Sequence, residues 1–354
     1  MNKKNILFTL LYIFIVLINY SNCYGESNSN GSPNYQERES LNLINLVRMF
    51  PKEYRDNYMS NNGFTNLFTG NTYPATFPLY FNETITKLAQ YHSNDMCVNG
   101  CFSHNDCNGT SITIRFDKFL NCDRNWNRAE NIAAGITTGI EANNLLLCDS
   151  SKMGGPCSLD ASGYDGHRKN IMSGNYGYVG VGVKNLGSSQ YKTCWTQDFT
   201  SGNCGGPTTP IYSGFHSFIK KSTSPTFIMI YYEIVSPAKN VETSLVFSNG
   251  TSIKMALKYG NINQGAYIVS LPSVENCSKY YFKVVTEIKT LRYPDSGYLQ
   301  LSKDLSCQSW TPSSDTSSNN GGTESENPSE EPSNSIIIRS SNLFFILIFI
   351  SLLF

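Results

Sequence analysis

The apolar residues of this chain repeat at one spacing early on and at another later. In "ESLNLINLVRMFPKEY" they recur at helical spacing, as Leu43, Leu46, Val47 and Phe50, until Pro51 breaks the pattern. A second helix is expected over "FNETITKLAQYHSNDMC", where Ile85, Leu88, Ala89, His92 and Met96 share one stripe and Asn82 stands where an N-cap belongs. On that stripe His92 reads as a histidine at the edge of the core. From Tyr176 the period shortens to two. In "YGYVGVGV" Val179, Val181 and Val183 face one way and Tyr178, Gly180 and Gly182 the other, so one face of the strand is nearly bare. Bare glycine backbone admits a close neighbour, and His167, just upstream in "YDGHRKNIM", is expected to occupy that space. "YKTCWTQDF" alternates again, with Trp195, Gln197 and Phe199 on one side.

Past "GNCGGPTTP" helical spacing stops. The runs "FIMIYYEIV", "TSLVF", "SIKMALKY", "GAYIVSL" and "YYFKVVTEI" follow one another between Asn, Gly, Pro and Ser turns, as the strands of a small β-sandwich do. The fold class is therefore α+β, a helix-and-strand domain followed by a small all-β one. After it, "TPSSDTSSNNGGTESENPSEEPSNS" has five acids, no base and no aromatic residue, and such a composition cannot bury a core. It reads as a stalk.

The two ends change the picture from a plain globular chain to a secreted one. Lys3 and Lys4 precede an apolar run from Ile6 to Ile18, broken only by Thr9 and followed by Ser21 and Cys23. That is the pattern of a signal peptide, shorter than the roughly 20 residues of a membrane span. The last twelve residues, Leu343 to Phe354, are apolar apart from Ser351. Behind small Ser333, Asn334 and Ser335 they form the pattern of a GPI-anchor signal, with Ser333 or Asn334 as the attachment site. The expected boundaries are 1–23 signal peptide, 24–36 polar leader, 37–205 helix-and-strand domain, 207–309 β-domain, 310–335 stalk and 336–354 anchor signal.

Secretion decides the fate of the cysteines. Eleven become ten once Cys23 is removed, and the even set Cys97, Cys101, Cys107, Cys122, Cys148, Cys157, Cys194, Cys204, Cys277 and Cys307 reads as five disulfides. Only Cys277 and Cys307 fall in the β-domain, so they are expected to pair. Zinc at Cys97, Cys101, Cys107 and Cys122 is the alternative, disfavoured in an oxidising compartment. Sequons at Asn30, Asn82, Asn108, Asn249 and Asn276 fit a glycosylated surface. With 27 basic and 27 acidic residues, and no basic cluster outside the ends, nothing points to nucleic acid.

Three segments carry candidate chemistry: "CFSHND" with His104, "RAENIAAG" with Glu130, and "DGHRKNIM" with His167. Together with "LNLINLVR", "LAQYHSNDM", "VGVGV" and "WTQDF", they make residues 36–205 resemble the CAP superfamily. Its members are the cysteine-rich secretory, antigen 5 and pathogenesis-related 1 proteins with their SCP domain, and the likeness is strongest to the bacterial-type branch. The resemblance implies a CAP-type α-β-α sandwich with a central cleft and gathers His104, Glu130 and His167 there. Two imidazoles and a carboxylate suit zinc or another divalent ion and leave a position open. Many relatives add a second glutamate; here "EANNLLLCDSSKMGGPC" offers Asp149 as the nearest carboxylate, a loose match that reads rather as a solvated or capping residue. Asp165 is expected to cap the His167 helix, Arg168 and Lys169 to lie on its exposed face, and Arg115 to anchor a carboxylate or backbone carbonyls. The β-domain also looks like a module that follows some bacterial-type CAP domains, and its His216 is expected at the surface.

These features favour a non-enzymatic, cell-surface binding protein with a divalent-metal site and a lipid, sterol or macromolecular partner. The alternatives are a hydrolase using the His/Glu cleft, with Ser103 as the candidate nucleophile, and an adhesive surface protein with a degenerate cleft. Phosphatidylinositol-specific phospholipase C is expected to release the mature protein from cells. Protein that stays in the membrane after complete digestion would count against the anchor.

Overall fold

The computed structural model describes residues 33–59, 67–120, 126–150, 156–202, 209–217, 224–301, 307 and 310–311. The expected signal peptide, the sequon at Asn30, Cys23, Cys122, Cys204, the stalk beyond Thr311, Ser333, Asn334 and the apolar tail lie outside them. No helix among the described residues is long and apolar enough to cross a membrane.

Helix α1, Tyr35–Met49, opens with a capping box: Asn34 Oδ1 accepts from Glu37 N at 2.9 Å and Glu37 Oε2 accepts from Asn34 N at 2.8 Å. It begins inside the expected leader. Phe50 and Pro51 end it, Pro51 starting the short helix α2, Pro51–Tyr54. The stripe of Leu43, Leu46 and Val47 is buried as expected, but so is every residue from Gln36 to Met49. An amphipathic helix would keep a wet face, and this one has none.

The reason lies in the layers on either side. Strands β1 (Tyr80–Phe81), β2 (Arg128–Ala134), β3 (Tyr178–Asn185) and β4 (Thr193–Thr200) form a sheet in the order β1-β3-β4-β2. Helix α3, Glu83–Asn99, covers one face, capped by Asn82 Oδ1, which accepts from Thr84 N at 3.0 Å and Ile85 N at 3.1 Å. Helix α4, Ile112–Phe119, packs beside it. On the other face lie α1, α5 (Gly139–Cys148) and α6 (Gly166–Met172). This is the α-β-α sandwich.

A second pair of sheets then covers the far side of α1. One sheet is β5 (Ile211–Ser217), β6 (Thr226–Tyr232), β10 (Gln264–Ser270) and β9 (Ala256–Asn261); the other contains β7 (Val241–Phe247), β8 (Ser252–Lys254), β11 (Lys279–Thr286), β12 (Thr290–Tyr293), β13 (Tyr298–Gln300) and β14 (Trp310–Thr311). Along β6, Phe227, Met229 and Tyr231 enter the sandwich core, while Ile230 packs with Leu43, Ile44, Val181 and Trp195 in the core around α1. A strand buried on both faces reads as a continuous apolar run, which "FIMIYY" is. Asn42 Nδ2 donates to Ser213 Oγ at 3.1 Å across the same boundary.

Burying α1 on all sides encloses charge. Glu37 Oε1 accepts from Val183 N at 2.9 Å, and Glu39 Oε2 accepts from Gly139 N at 2.7 Å. Desolvation nevertheless pushes both carboxyls up to about 7. Arg48 donates to the carbonyls of Phe77, Ile171 and Ser173 at 2.9, 2.6 and 2.8 Å, and burial lowers its guanidinium to about 9.

Several expectations are corrected here. The bare face of β3 receives helix α3, not His167: a Cβ on Gly180 would lie 2.2 Å from Ile85 C, and one on Gly182 2.3 Å from Ala89 C. Arg168 is fully buried, donating to Leu147 O at 2.5 Å and Ser158 O at 2.7 Å and pairing with Asp160 at 3.0 Å. His216 is buried beside Phe215, with Nδ1 2.6 Å from the Tyr280 hydroxyl. Asn82 is 3% exposed and engaged in capping α3, which leaves no room for a glycan; Asn108 and Asn249 are exposed and Asn276 is half-buried. Sandwich pairing also continues to Thr311, into the segment expected as stalk.

Gly180→Ala is predicted to destabilise the fold by about 1–3 kcal/mol or more, because the new methyl meets helix backbone that cannot rotate aside. Urea unfolding of this variant beside wild type measures it. A change within about 0.5 kcal/mol would mean that α3 stands off from β3.

Candidate functional site

Strand β2 is an edge of its sheet, and its two faces carry different chemistry. Glu130 and Asp198 stand opposite one another across β2 and β4, on the face packed by α3; Asn131 and Gln197 stand opposite on the other. On the α3 side, Arg115 of α4 is buried and holds the acids together. Its Nη1 donates to Asp106 Oδ1 at 2.5 Å and to His104 O at 3.2 Å, and its Nη2 donates to Glu130 Oε2. The expectation that Arg115 anchors carboxylates and carbonyls matches this geometry. His92, fully buried, places Nδ1 3.0 Å from Asp106 Oδ1 and Nε2 3.0 Å from Ser103 O. Desolvation lowers its pKa, in part offset by the Glu130 charge.

Asp198 completes the group. Desolvation, reinforced by the Glu130 charge, raises its carboxyl well above the carboxylate range. As a carboxylate neither oxygen would find a donor; as the acid it donates to Glu130. Arg115 thus pairs with Asp106 and Glu130, while burial disfavours the charged form of the third acid, Asp198.

Two histidines emerge from this frame. His104 Nδ1 lies 2.8 Å from Glu130 Oε1, and its side chain is 52% exposed. His167, at the start of α6 on the other side of β2, has Nδ1 2.6 Å from Asp149 Oδ1, and its side chain is 35% exposed. Asp149, in left-handed conformation where α5 ends, also accepts from His167 N at 2.7 Å and so caps α6. Asp165, expected in that role, instead accepts from Tyr73 Oη at 2.5 Å and Ala161 N at 2.6 Å. Asn131 Nδ2 donates to His167 O at 3.2 Å, tying α6 to β2. The Nε2 atoms of His104 and His167 bond no described residue.

The sequence reading gathered His104, Glu130 and His167 in one site with Asp149 as a loose fourth, whereas the structure gives each imidazole its own carboxylate. The ligand atoms of His104, Glu130 and His167 do not converge within 4.8 Å; among the described residues the groups that do are His92, Asp95 and Asp106, and Asp95, Cys101 and Cys107. Ser103 Oγ accepts from Asn105 N at 3.1 Å. Cys101–Cys107 closes the loop that carries His104, and Cys148–Cys157 closes the loop that follows Asp149. Cys97–Cys194 ties α3 to β4, and Cys277–Cys307 forms as expected.

The model of the cysteine-rich secretory protein (CAP) family matches residues 41–199, the segment from α1 through β4. These residues are a CAP domain. It is of bacterial type: over 123 residues the chain is 30% identical to the uncharacterized protein YkwD of Bacillus subtilis strain 168, a match covering 34% of this chain and 39% of that protein. The chain thus spans about two fifths of the relative's length. The crystal structure of an extracellular SCP-domain protein from Bacillus anthracis strain Ames is 23% identical, covering 41% of this chain and 40% of the other with a TM-score of 0.26. The match to the CAP family ends before β5, so the sandwich that buries α1 lies outside it.

Arg115→Met is predicted to cost about 3–5 kcal/mol in urea unfolding, since it strands two buried anions. Asp198→Asn, which mimics a neutral acid, should stay within about 1 kcal/mol of wild type. Equal losses in the two variants would show that Asp198 is ionised.

Proposed function

We propose that this chain is an extracellular, cell-surface binding protein, held by a C-terminal GPI anchor, whose CAP cleft takes a divalent cation through His104 and His167. The reading rests chiefly on the two imidazoles, each engaged at Nδ1 by a shielded carboxylate and bonding no described residue at Nε2. A carboxylate at one ring nitrogen fixes the tautomer and raises the basicity of the other, as behind metal-binding histidines. In this arrangement Glu130 and Asp149 orient the rings rather than ligate. The donor set suits zinc, which would supply a Lewis-acidic centre with positions left for water or a ligand oxygen. The neighbouring disulfides hold both loops in place, and disulfides form in oxidising compartments. Binding is favoured over hydrolysis because the Ser103 hydroxyl is engaged by its own loop and no histidine holds it.

Zinc calorimetry of the purified protein tests this reading. His104→Ala and His167→Ala should each abolish or strongly weaken binding, and Asp149→Asn should weaken it about 10–100-fold, while circular dichroism stays unchanged. Affinity should fall as the pH is lowered, because a proton on an imidazole excludes a metal. Zinc affinity unchanged in both alanine variants would sink the proposal.

A further inference from the structure

The turns that join the sandwich strands at one end share an unusual surface. Ile234 and Val235, between β6 and β7, are 58% and 87% exposed; Ile288, between β11 and β12, is 63% exposed; Ile262, between β9 and β10, is 40% exposed. Lone exposed aliphatics are ordinary, but four on adjoining turns form a patch. The turns adjoin because they bond to each other. Glu233 N donates to Asn263 O at 2.7 Å, and Ala238 and Asn263 exchange bonds of 2.9 Å. Lys239 N donates to Glu287 Oε1 at 2.7 Å, and Lys289 Nζ meets Glu233 Oε2 at 2.6 Å.

Local acids are consumed in building this end. Glu233 also accepts from the amides of Val235 and Ser236, and Glu287 also accepts from Asn240 N. Glu233 is buried and Glu287 exposed, both engaged by turn amides, and the aliphatic side chains face solvent beside exposed Lys239 and Glu242. A braced set of turns offers its apolar groups without a large ordering cost on binding.

Strand direction says what lies beyond. β11 runs toward this end and finishes at Thr286; β13 is antiparallel to β11, and β14 is antiparallel to β13. β14 therefore runs toward the same end over its two residues, reaching Thr311 opposite Tyr298. The sequence that follows finishes in the apolar segment Leu343–Phe354.

We infer that the sandwich end bearing Ile234, Val235, Ile262 and Ile288 is a docking surface for a lipid bilayer, into whose apolar layer these side chains insert. The occupant follows from the exit of the chain and so rests on the proposed anchor; the patch itself does not. Docking there would lay the protein's sandwich end against the membrane rather than let it swing on its stalk.

Two measurements separate the docking from the anchor. The first uses the full chain with Val235→Trp, attached to phosphatidylcholine vesicles through its own lipid. Brominated acyl chains should quench the added tryptophan well beyond the quenching of unsubstituted protein, and no added quenching overturns the inference. The second uses the secreted form ending at Ser314, which keeps the whole compact unit of residues 1–314 and the four observed disulfides. It should cosediment with phosphatidylcholine vesicles, and Ile234→Ser with Ile288→Ser should weaken that partition about tenfold or more. Release by phospholipase reports the anchor alone, so its failure leaves this second readout standing. Absence of vesicle binding, or a blue shift of the added tryptophan that grows with protein concentration without lipid, overturns docking to a bilayer; the shift would assign the patch to a second copy of the chain.

Discussion

Helix α1 must find partners on every side, because a sheet of the CAP domain lies along one flank and a sheet of the sandwich along the other. The arrangement explains features that look unrelated along the sequence. Polar Asn42, Asn45 and Arg48 are buried because each reaches across a layer to a hydroxyl, a carbonyl or an amide. Glu37 and Glu39 remain in the interior because backbone amides meet them, although the low dielectric still disfavours their charge. The residue before β1 is likewise pinned to α1, by Asn45 bonding both the amide and the carbonyl of Leu79.

The cleft depends on a smaller version of the same constraint. Arg115 brings Asp106 and Glu130 into one buried group, and Glu130 in turn fixes an imidazole at the surface. On the opposite side of β2, Asp149 fixes the second imidazole and caps the helix that bears it. Each exposed ring is thus backed by a shielded acid, and each acid also does structural work.

Much of this was legible from pattern and some was not. Period-two runs located most sandwich strands, because a strand's side chains alternate whatever its partners are. Asn82 marked the start of α3 because capping is local chemistry. The motifs around His104, Glu130 and His167 marked the two sides of β2 where the imidazoles lie, but not the separate carboxylate that each one meets, and Arg115 was read correctly as an anchor. What pattern missed depends on distant partners. Arg168 and His216 looked exposed until Asp160, the loop carbonyls and Tyr280 came to meet them. Asp149 read as a solvated or capping residue; it does cap, but nothing in "LLLCDSS" shows that the helix it caps will be the one bearing His167, eighteen residues on. Gly180 and Gly182 did announce a close approach, yet glycine says only that something comes near, and here it is helix backbone. The wholly buried α1 was the hardest to see, since its second covering comes from strands that begin more than 150 residues later.

One consequence of that covering concerns inheritance rather than energy. A CAP domain whose first helix is exposed on one flank can be joined to new neighbours by simple fusion. This one cannot be lifted out at its family boundary near residue 199 without baring Ile44, Val47 and their companions to water. Substitutions in the sandwich sheet that touch α1 are therefore bound to substitutions in the helix itself. The two segments share one core, however separately their sequences read.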